Sequence, residues 1–166
     1  MDAAVEIPTR EGMFIAVFSS LGLRRLEFPT SAVPSRNASF SGIASLSVEQ
    51  RLWFNQTRAA LEDVLAGRPL RILPPLDWSG HTEFRRKVWR AMLRIKPGET
   101  RSYGDIGYEL GQPLASRAVG GACGANPIPV LVPCHRVLAA KGRLGGFSGG
   151  LDWKRRLLAI EGIVAK

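Results

Sequence analysis

The sequence predicts an α+β protein of two small parts: an antiparallel sheet with one helix, then a mostly helical part containing a helix-turn-helix. Three observations predict it. Strand-like apolar runs dominate before residue 30, helical spacing with capping signals dominates after residue 80, and a proline-rich break with a change of charge lies between them. At 166 residues, 45% apolar and 22% charged, the chain has the composition of a globular protein. No apolar run approaches the roughly 18 residues of a membrane span.

Phe14-Ile15-Ala16-Val17-Phe18, a turn over Ser19 to Gly22, and Leu23 to Phe28 read as a β-hairpin. Pro29 to Ser41, rich in Ser, Pro and Asn, reads as a loop. Ser47 and Gln50 fit a capping box, and a helix follows to about Ala66, closed by Gly67. Its apolar face is read as Leu52, Trp53, Ala60, Leu61, Val64 and Leu65. Leu70 to Leu73 is a candidate further strand. The run Pro74-Pro75-Leu76-Asp77-Trp78-Ser79-Gly80 then sets the expected boundary, giving parts 1–78 and 79–166.

Beyond the boundary, Thr82 caps a helix with Phe84, Val88, Trp89, Met92 and Leu93 on one stripe, ended by Pro97-Gly98. Ser102 with Asp105 caps a second helix, Tyr103 to Leu110. The turn Gly111-Gln112-Pro113-Leu114 leads to a third, from about Ala115 to Gly124, completing the helix-turn-helix pair. Most helix pairs joined by short turns bind no DNA. The third helix nearly lacks large side chains after Arg117, although each Gly costs about 1 kcal/mol of helix propensity. Close packing against a neighbouring helix is the plain explanation. Entry into a DNA groove, led by Arg117, is the functional one.

The net charge of +9 is uneven: residues 1–80 hold eight basic and eight acidic side chains, residues 81–166 fifteen and six. A basic half favours a polyanion, because cations that displace counterions from phosphates gain affinity with their number. A solvated surface that aids solubility is the plain alternative. Asp2, Glu6 and Glu11 precede the apolar stretch at Phe14, where a signal peptide would have a basic start, so a cytoplasmic protein is expected. Cys123 and Cys134 are the only cysteines and His81 and His135 the only histidines, too few and too scattered for a zinc site. Both thiols are expected free, with no metal and no cofactor.

Asn126-Pro127-Ile128-Pro129-Val130-Leu131-Val132 leads to Pro133-Cys134-His135-Arg136-Val137. The prolines exclude a helix, so Ile128 to Val132 is expected to run extended and buried, delivering Cys134 and His135 at its end. A free cysteine is more often a small core residue than a nucleophile. Here the adjoining His135 and Arg136 are expected to lower the thiol pKa toward the reactive thiolate. The glycine-rich run Gly142 to Gly150 can bring backbone N–H groups to a ligand, and the acid Glu161 lies near the end of a closing helix that Asp152 caps.

At this point the chain resembles the O6-alkylguanine-DNA alkyltransferases, also called methylated-DNA–protein-cysteine methyltransferases. The likeness rests on Arg117-Ala118-Val119-Gly120, Asn126-Pro127 and Pro133 to Val137, with Gly98 to Tyr103 and Ser148-Gly149-Gly150, over residues 83–166. Residues 1–80 resemble the family's variable N-terminal part only through the order of hairpin and helix. The resemblance implies an RNase H-like N-terminal part and a winged-helix-like C-terminal part.

It also implies roles. Cys134 resembles the alkyl acceptor, expected as a shielded thiol activated where a flipped guanine can reach it and not as a permanently exposed thiolate. His135 resembles the base that takes its proton through a water, and Glu161 the acid that orients the imidazole. Asn126 resembles a hinge between the helix-turn-helix and the active-site segment. Arg117 resembles a finger that fills the gap left by a flipped base, with Ser102, Ala118, Gly120 and Gly121 on the same DNA-facing surface. Tyr103 resembles the residue that presses on the 3′ phosphate and hydrogen-bonds the guanine ring. Ser148 resembles a backbone donor to O6, Val137 a carbonyl acceptor for the exocyclic amine, and Phe147 and Cys123 line the pocket. Many relatives carry Tyr at the position of Phe147. Cys123 is read first as packing, second as a further acceptor; His81 and the four tryptophans are read as packing.

The implied function is irreversible, single-turnover transfer of an alkyl group from O6-alkylguanine, and from O4-alkylthymine, in duplex DNA to Cys134. The implied partner is double-stranded DNA carrying O6-alkylguanine, with the protein a monomer in solution and cooperative assembly on DNA an open alternative. Two other readings stand beside it. One is a non-enzymatic lesion-binding protein on the same fold, whose members have Trp where this chain has Cys134. The other is a helix-turn-helix regulator with a structural cysteine.

Overall fold

The computed structural model describes residues 1–30 and 42–166, so most of the expected 29–41 loop lies outside the described residues. The sheet has three strands rather than the two of the expected hairpin. β1 (Ala3–Thr9) pairs antiparallel with β2 (Gly12–Phe18), which pairs with β3 (Leu23–Glu27). β1 buries Ala3, Val5 and Ile7 and exposes Glu6 and Pro8, a period of two that its acidic residues and proline obscure in the sequence. Pro8 is tolerated because β1 is the outer strand of the order β1-β2-β3.

α1 (Val48–Leu65) starts where its capping box places it: Ser47 Oγ accepts the Gln50 N–H at 3.2 Å, and Gln50 Oε1 accepts the Ser47 N–H at 3.2 Å. Phe54, Ala60, Leu61, Val64 and Leu65 are buried, but Leu52 faces solvent, contrary to the expected face. The helix also buries the carboxylate of Asp63, paired with Arg68 and Arg71. Residues 70–73, expected as a strand, are irregular; further along, Leu76 forms an isolated parallel bridge with Leu23.

In the second half, α2 (Glu83–Leu93) is capped by Thr82, and Trp89 is fully buried with its indole N–H donating to the Ala122 carbonyl at 2.8 Å. Trp78 and His81 pack on its ring at 5.5 and 4.9 Å between centroids. A two-residue strand, β4 (Arg101–Ser102), runs into α3 (Tyr103–Glu109), whose Ser102–Asp105 capping box is formed. α4 (Ser116–Gly124) follows and packs on α2 and α3. β4 pairs in parallel with β5 (Val137–Leu138), and α5 (Leu151–Ile160) closes the chain. Asp152 does not cap α5: Gly150 occupies that position, and Asp152 is exposed in the first turn beside Arg155. Among the described residues, no helix is long and apolar enough to cross a membrane.

The α+β class holds, and one apolar core spans both halves, from Phe14, Phe18 and Leu61 to Trp89, Ile106 and Leu131. Burying side chains of this size stabilises by about 1.5–3 kcal/mol each. β3 is the spine of the union. The Leu23 N–H donates to Pro75, the Asp77 N–H to Leu23, and the Leu26 N–H to Pro127, at 2.8, 2.8 and 2.9 Å. The buried Asp77 carboxylate accepts from Ser19 Oγ at 2.6 Å, Arg24 Nε at 3.0 Å and the Ser79 N–H at 2.9 Å. Burial alone would raise its pKa, but these donors win and hold it at about 2. Asp77→Ala is expected to destabilise the fold by about 2 kcal/mol, by stranding the Ser19 and Ser79 donors. Chemical denaturation checks it, with Asp77→Asn retaining part of the loss.

Candidate active site

The approach to Cys134 is a turn and not the expected extended run. The Val132 N–H donates to the Ile128 carbonyl at 3.0 Å, and Val130 adopts a left-handed φ of 73°. Asn126 accounts for this. Its buried side-chain amide donates to the Val132 carbonyl at 2.8 Å and accepts the Ile128 N–H at 3.0 Å. One side chain thereby closes both ends of the turn, satisfying backbone groups that would otherwise need a sheet partner. The left-handed valine costs on the order of 1–3 kcal/mol, and complete burial of Val130 and Leu131 holds it.

Cys134 follows as the first residue of a 3-10 turn, Cys134–Arg136, and is 3% exposed. Burial pushes its thiol up to about 11; Asn126, the Lys154 ammonium and the backbone N–H groups of Cys134 and His135 pull the other way without prevailing. The expected lowering by neighbouring positive charge does not prevail, and the expected shielded thiol is what burial produces. Arg136 points its charge elsewhere, into Glu161, and His135 is neutral.

His135 is completely buried, with Nε2 3.0 Å from Glu161 Oε1. An ionised carboxylate can only accept, so Nε2 carries the proton and Nδ1 presents a lone pair. Nδ1 is buried with no hydrogen-bond partner among the described residues. Burial lowers the histidine pKa despite the opposing pull of Glu161. The carboxyl of Glu161, at the C-terminal end of α5, is 1% exposed and accepts from Arg136 Nε and Nη2 at 3.0 and 2.7 Å. It also accepts the Gly98 N–H at 3.1 Å. Burial would raise its pKa, but the hydrogen bonds of His135 and Arg136 hold it at about 2. The structure brings Cys134, His135, Glu161 and Asn126 together.

Two residues here do what sequence reasoning does not foresee: Arg136 reads there only as a charge beside the thiol, and Lys154 is not read at all. Arg136 also donates from Nη1 to the Ile95 carbonyl at 2.6 Å, so it ties the end of α2 to Glu161. Lys154 is 1% exposed; its ammonium donates to the carbonyls of Val137 at 2.8 Å, Leu144, and Gly146 at 3.4 Å, and lies 5.9 Å from the Phe147 ring. Burial lowers its pKa. The available signal was its place at helical spacing with the buried Leu157 and Leu158.

Tyr103 is half-buried at the start of α3, its hydroxyl pKa raised by burial. Its ring packs on Gly120 of α4, and its hydroxyl abuts Gly145, where an added Cβ would fall 2.5 Å away. Gly145 also has φ +69°, so the glycine is required twice over. Phe147 is half-buried; Ser148 is exposed and lines a groove of about 610 Å³ together with Asn126 and Leu26. The Val137 carbonyl, engaged by Lys154, keeps a second lone pair. Cys123 is buried with its sulfur 3.6 Å from Met92 Sδ, and burial pushes its thiol up to about 12. On α4, Arg117, Ala118 and Gly121 are exposed while Val119, Ala122 and Cys123 face the core. Arg117 makes no ion pair with any described residue. The Ser102 hydroxyl accepts the Asp105 N–H at 3.0 Å as the cap of α3.

The family described as 6-O-methylguanine DNA methyltransferase, DNA binding domain, matches residues 83–163. The methylated-DNA–protein-cysteine methyltransferase of Mycolicibacterium paratuberculosis is 58% identical over 86 residues, 52% of each chain, so the match spans about half of that relative's length. The protein of the same name from Methanosarcina acetivorans is 46% identical over 115 residues, 69% of this chain and 73% of its own. Among solved structures, Mycobacterium tuberculosis OGT in complex with DNA superposes with a TM-score of 0.75 at 36% identity, over 96% of this chain and 93% of that one. The O6-methylguanine-DNA methyltransferase of Pyrococcus kodakaraensis gives 0.66 at 26% identity, over 98% and 100%. With a likeness that runs through nearly the whole fold and is densest in the half bearing Cys134, this chain belongs to the methylated-DNA–protein-cysteine methyltransferase family.

Proposed function

We propose that the protein repairs DNA by direct reversal, moving an alkyl group from O6-alkylguanine, and from O4-alkylthymine, in duplex DNA irreversibly to Cys134. The observation that carries this reading is the buried neutral His135, held by Glu161 at 3.0 Å with its Nδ1 lone pair unpartnered among the described residues, next to a protonated, 3% exposed thiol. The site and domain roles expected from the sequence, with parts 1–78 and 79–166, stand as part of the proposal. The names of the relatives support the reaction class, and the DNA-bound relative supports DNA as partner.

In this reading the damaged base leaves the stack, because its alkyl carbon cannot be approached in line within a duplex and a damaged pair is cheaper to open. Arg117, exposed at the start of α4, fills the gap. Cys134 gives its proton to Nδ1 of His135 through a water, and Glu161 stabilises the imidazolium that forms. The sulfur attacks the alkyl carbon; the S–C bond forms as the C–O6 bond breaks. The guanine leaves with negative charge, which the Tyr103 hydroxyl and the Ser148 N–H stabilise. The product is a thioether, whose C–S bond resists hydrolysis even beside a histidine and a water, so each molecule reacts once. A thiol held near 11 suits this order of events: it becomes nucleophilic only when a substrate closes the site.

Incubation with a duplex containing O6-methylguanine, followed by peptide mapping, is expected to place one methyl group on Cys134 and none on Cys134→Ser. Bound duplex with an unmodified Cys134 would favour a lesion-binding protein or a regulator instead. Arg117→Ala is expected to keep its reaction with free O6-benzylguanine while losing most activity on duplex DNA; equal losses on both substrates would remove the finger role. The transfer rate is expected to hold from pH 8 to 6.5 and to fall only at lower pH. A histidine pKa lowered by burial leaves the base neutral below the usual 6.5. Stability should decline over the same acid range, because the unfolded chain binds a proton at His135 that the folded one refuses. The decline should steepen between pH 4.5 and about 2 as Glu161 protonates, and a single-turnover rate profile beside acid denaturation measures both.

A further inference from the structure

The loop from Arg143 to Gly150 carries Phe147 and Ser148 but belongs to no helix or sheet, so something outside it must hold its shape. One side is met by Tyr103, against Gly145. The other side is met from the N-terminal part. Phe28, just past the end of β3, lies 5.7 Å from the Phe147 ring in an edge-on arrangement and 4.9 Å from the Trp153 ring of α5. Phe14 of β2 completes the cluster, 5.8 Å from Phe28 and 5.7 Å from Trp153. Gly149 lies so close that a Cβ there would be driven into the Phe28 ring. Both neighbours of Ser148 in the chain therefore rest on one side chain of the other half. β3 cannot drift, because the Leu26 N–H is bonded to the Pro127 carbonyl beside the Asn126 turn.

We infer that Phe28 is a positioning residue for the alkyl-transfer site, acting through the Phe147–Gly149 backbone to aim the Ser148 N–H. The inference rests on the proposed alkyl transfer to Cys134. It gives the neutral N-terminal half a part in the reaction beyond stability. Donors aimed at developing charge lose their effect with small displacements, so a loosened loop slows the chemical step more than it weakens DNA binding.

The test is single-turnover transfer by the full chain carrying Phe28→Ala, with free O6-benzylguanine and with an O6-methylguanine duplex, at a temperature where circular dichroism shows it folded. Transfer is expected to slow roughly ten- to hundredfold on both substrates while affinity for undamaged duplex stays unchanged. Phe28→Leu restores most of the rate by refilling the space, and trypsin cuts after Arg143 faster in Phe28→Ala than in the parent. Leu61→Ala, a core change in α1, serves as the stability control and keeps the parent rate. A Phe28→Ala rate within twofold of the parent overturns the inference, as does an equal slowing in Leu61→Ala. A parent protein that never alkylates Cys134 defeats the underlying reaction instead, which separates the two failures.

Discussion

The second half of the protein is organised around one buried negative charge. The Glu161 carboxylate sits at the end of α5 and is reached by three groups from two separate pieces of chain: His135 and Arg136 from the 3-10 turn, and the Gly98 N–H from the loop after α2. Arg136 extends the reach to the Ile95 carbonyl. A carboxylate taken out of water is tolerable only when its lone pairs are filled, and removing one partner of such a pair typically costs about 3–5 kcal/mol. The same satisfied charge fixes the imidazole. With Glu161 ionised, the proton of His135 belongs on Nε2 and the free lone pair on Nδ1. Structural and chemical demands on Glu161 are thus one demand.

Cys134 rests as the expected shielded thiol, and its placement supplies the reason. Positive neighbours in the sequence suggest a thiolate, yet the guanidinium of Arg136 is neutralised by Glu161 and the imidazole is uncharged. Burial is left as the dominant influence, and it favours the thiol. For a residue that can react only once in the proposed function, a protonated resting sulfur limits wasteful reaction with small electrophiles. Reactivity then depends on the proton path through His135 and on closure of the site by substrate.

The two halves are joined by more than a linker. β3 bonds to the 75–77 segment on one side and to Pro127 on the other, and the aromatic cluster of Phe14, Phe28, Phe147 and Trp153 continues the contact to the glycine-rich loop. Lys154 supports that loop from beneath by gathering three backbone carbonyls. A lysine in such a position replaces water with carbonyl oxygens, which is why its burial is tolerated.

By itself the sequence determined whatever depends on neighbours along the chain. The hairpin at Ser19–Gly22, the capping boxes at Ser47 and Ser102, the start of α2 at Thr82 and the small-residue face of α4 are local matters of turn chemistry and periodicity. The spacing from Arg117 to Val137 marked the family and pointed to Cys134 as the proposed acceptor. Tertiary structure decided what depends on groups distant in sequence. Val130 turns left-handed, against an expected extended run, because Asn126 supplies both bonds that the turn needs. The pKa of Cys134 rises because burial outweighs Asn126, Lys154 and the nearby backbone N–H groups. Asp152 leaves the cap of α5 to Gly150, and Lys154 turns inward to three carbonyls. Each outcome turns on burial and on which partner is nearest in space, and neither is a property of a residue and its immediate neighbours.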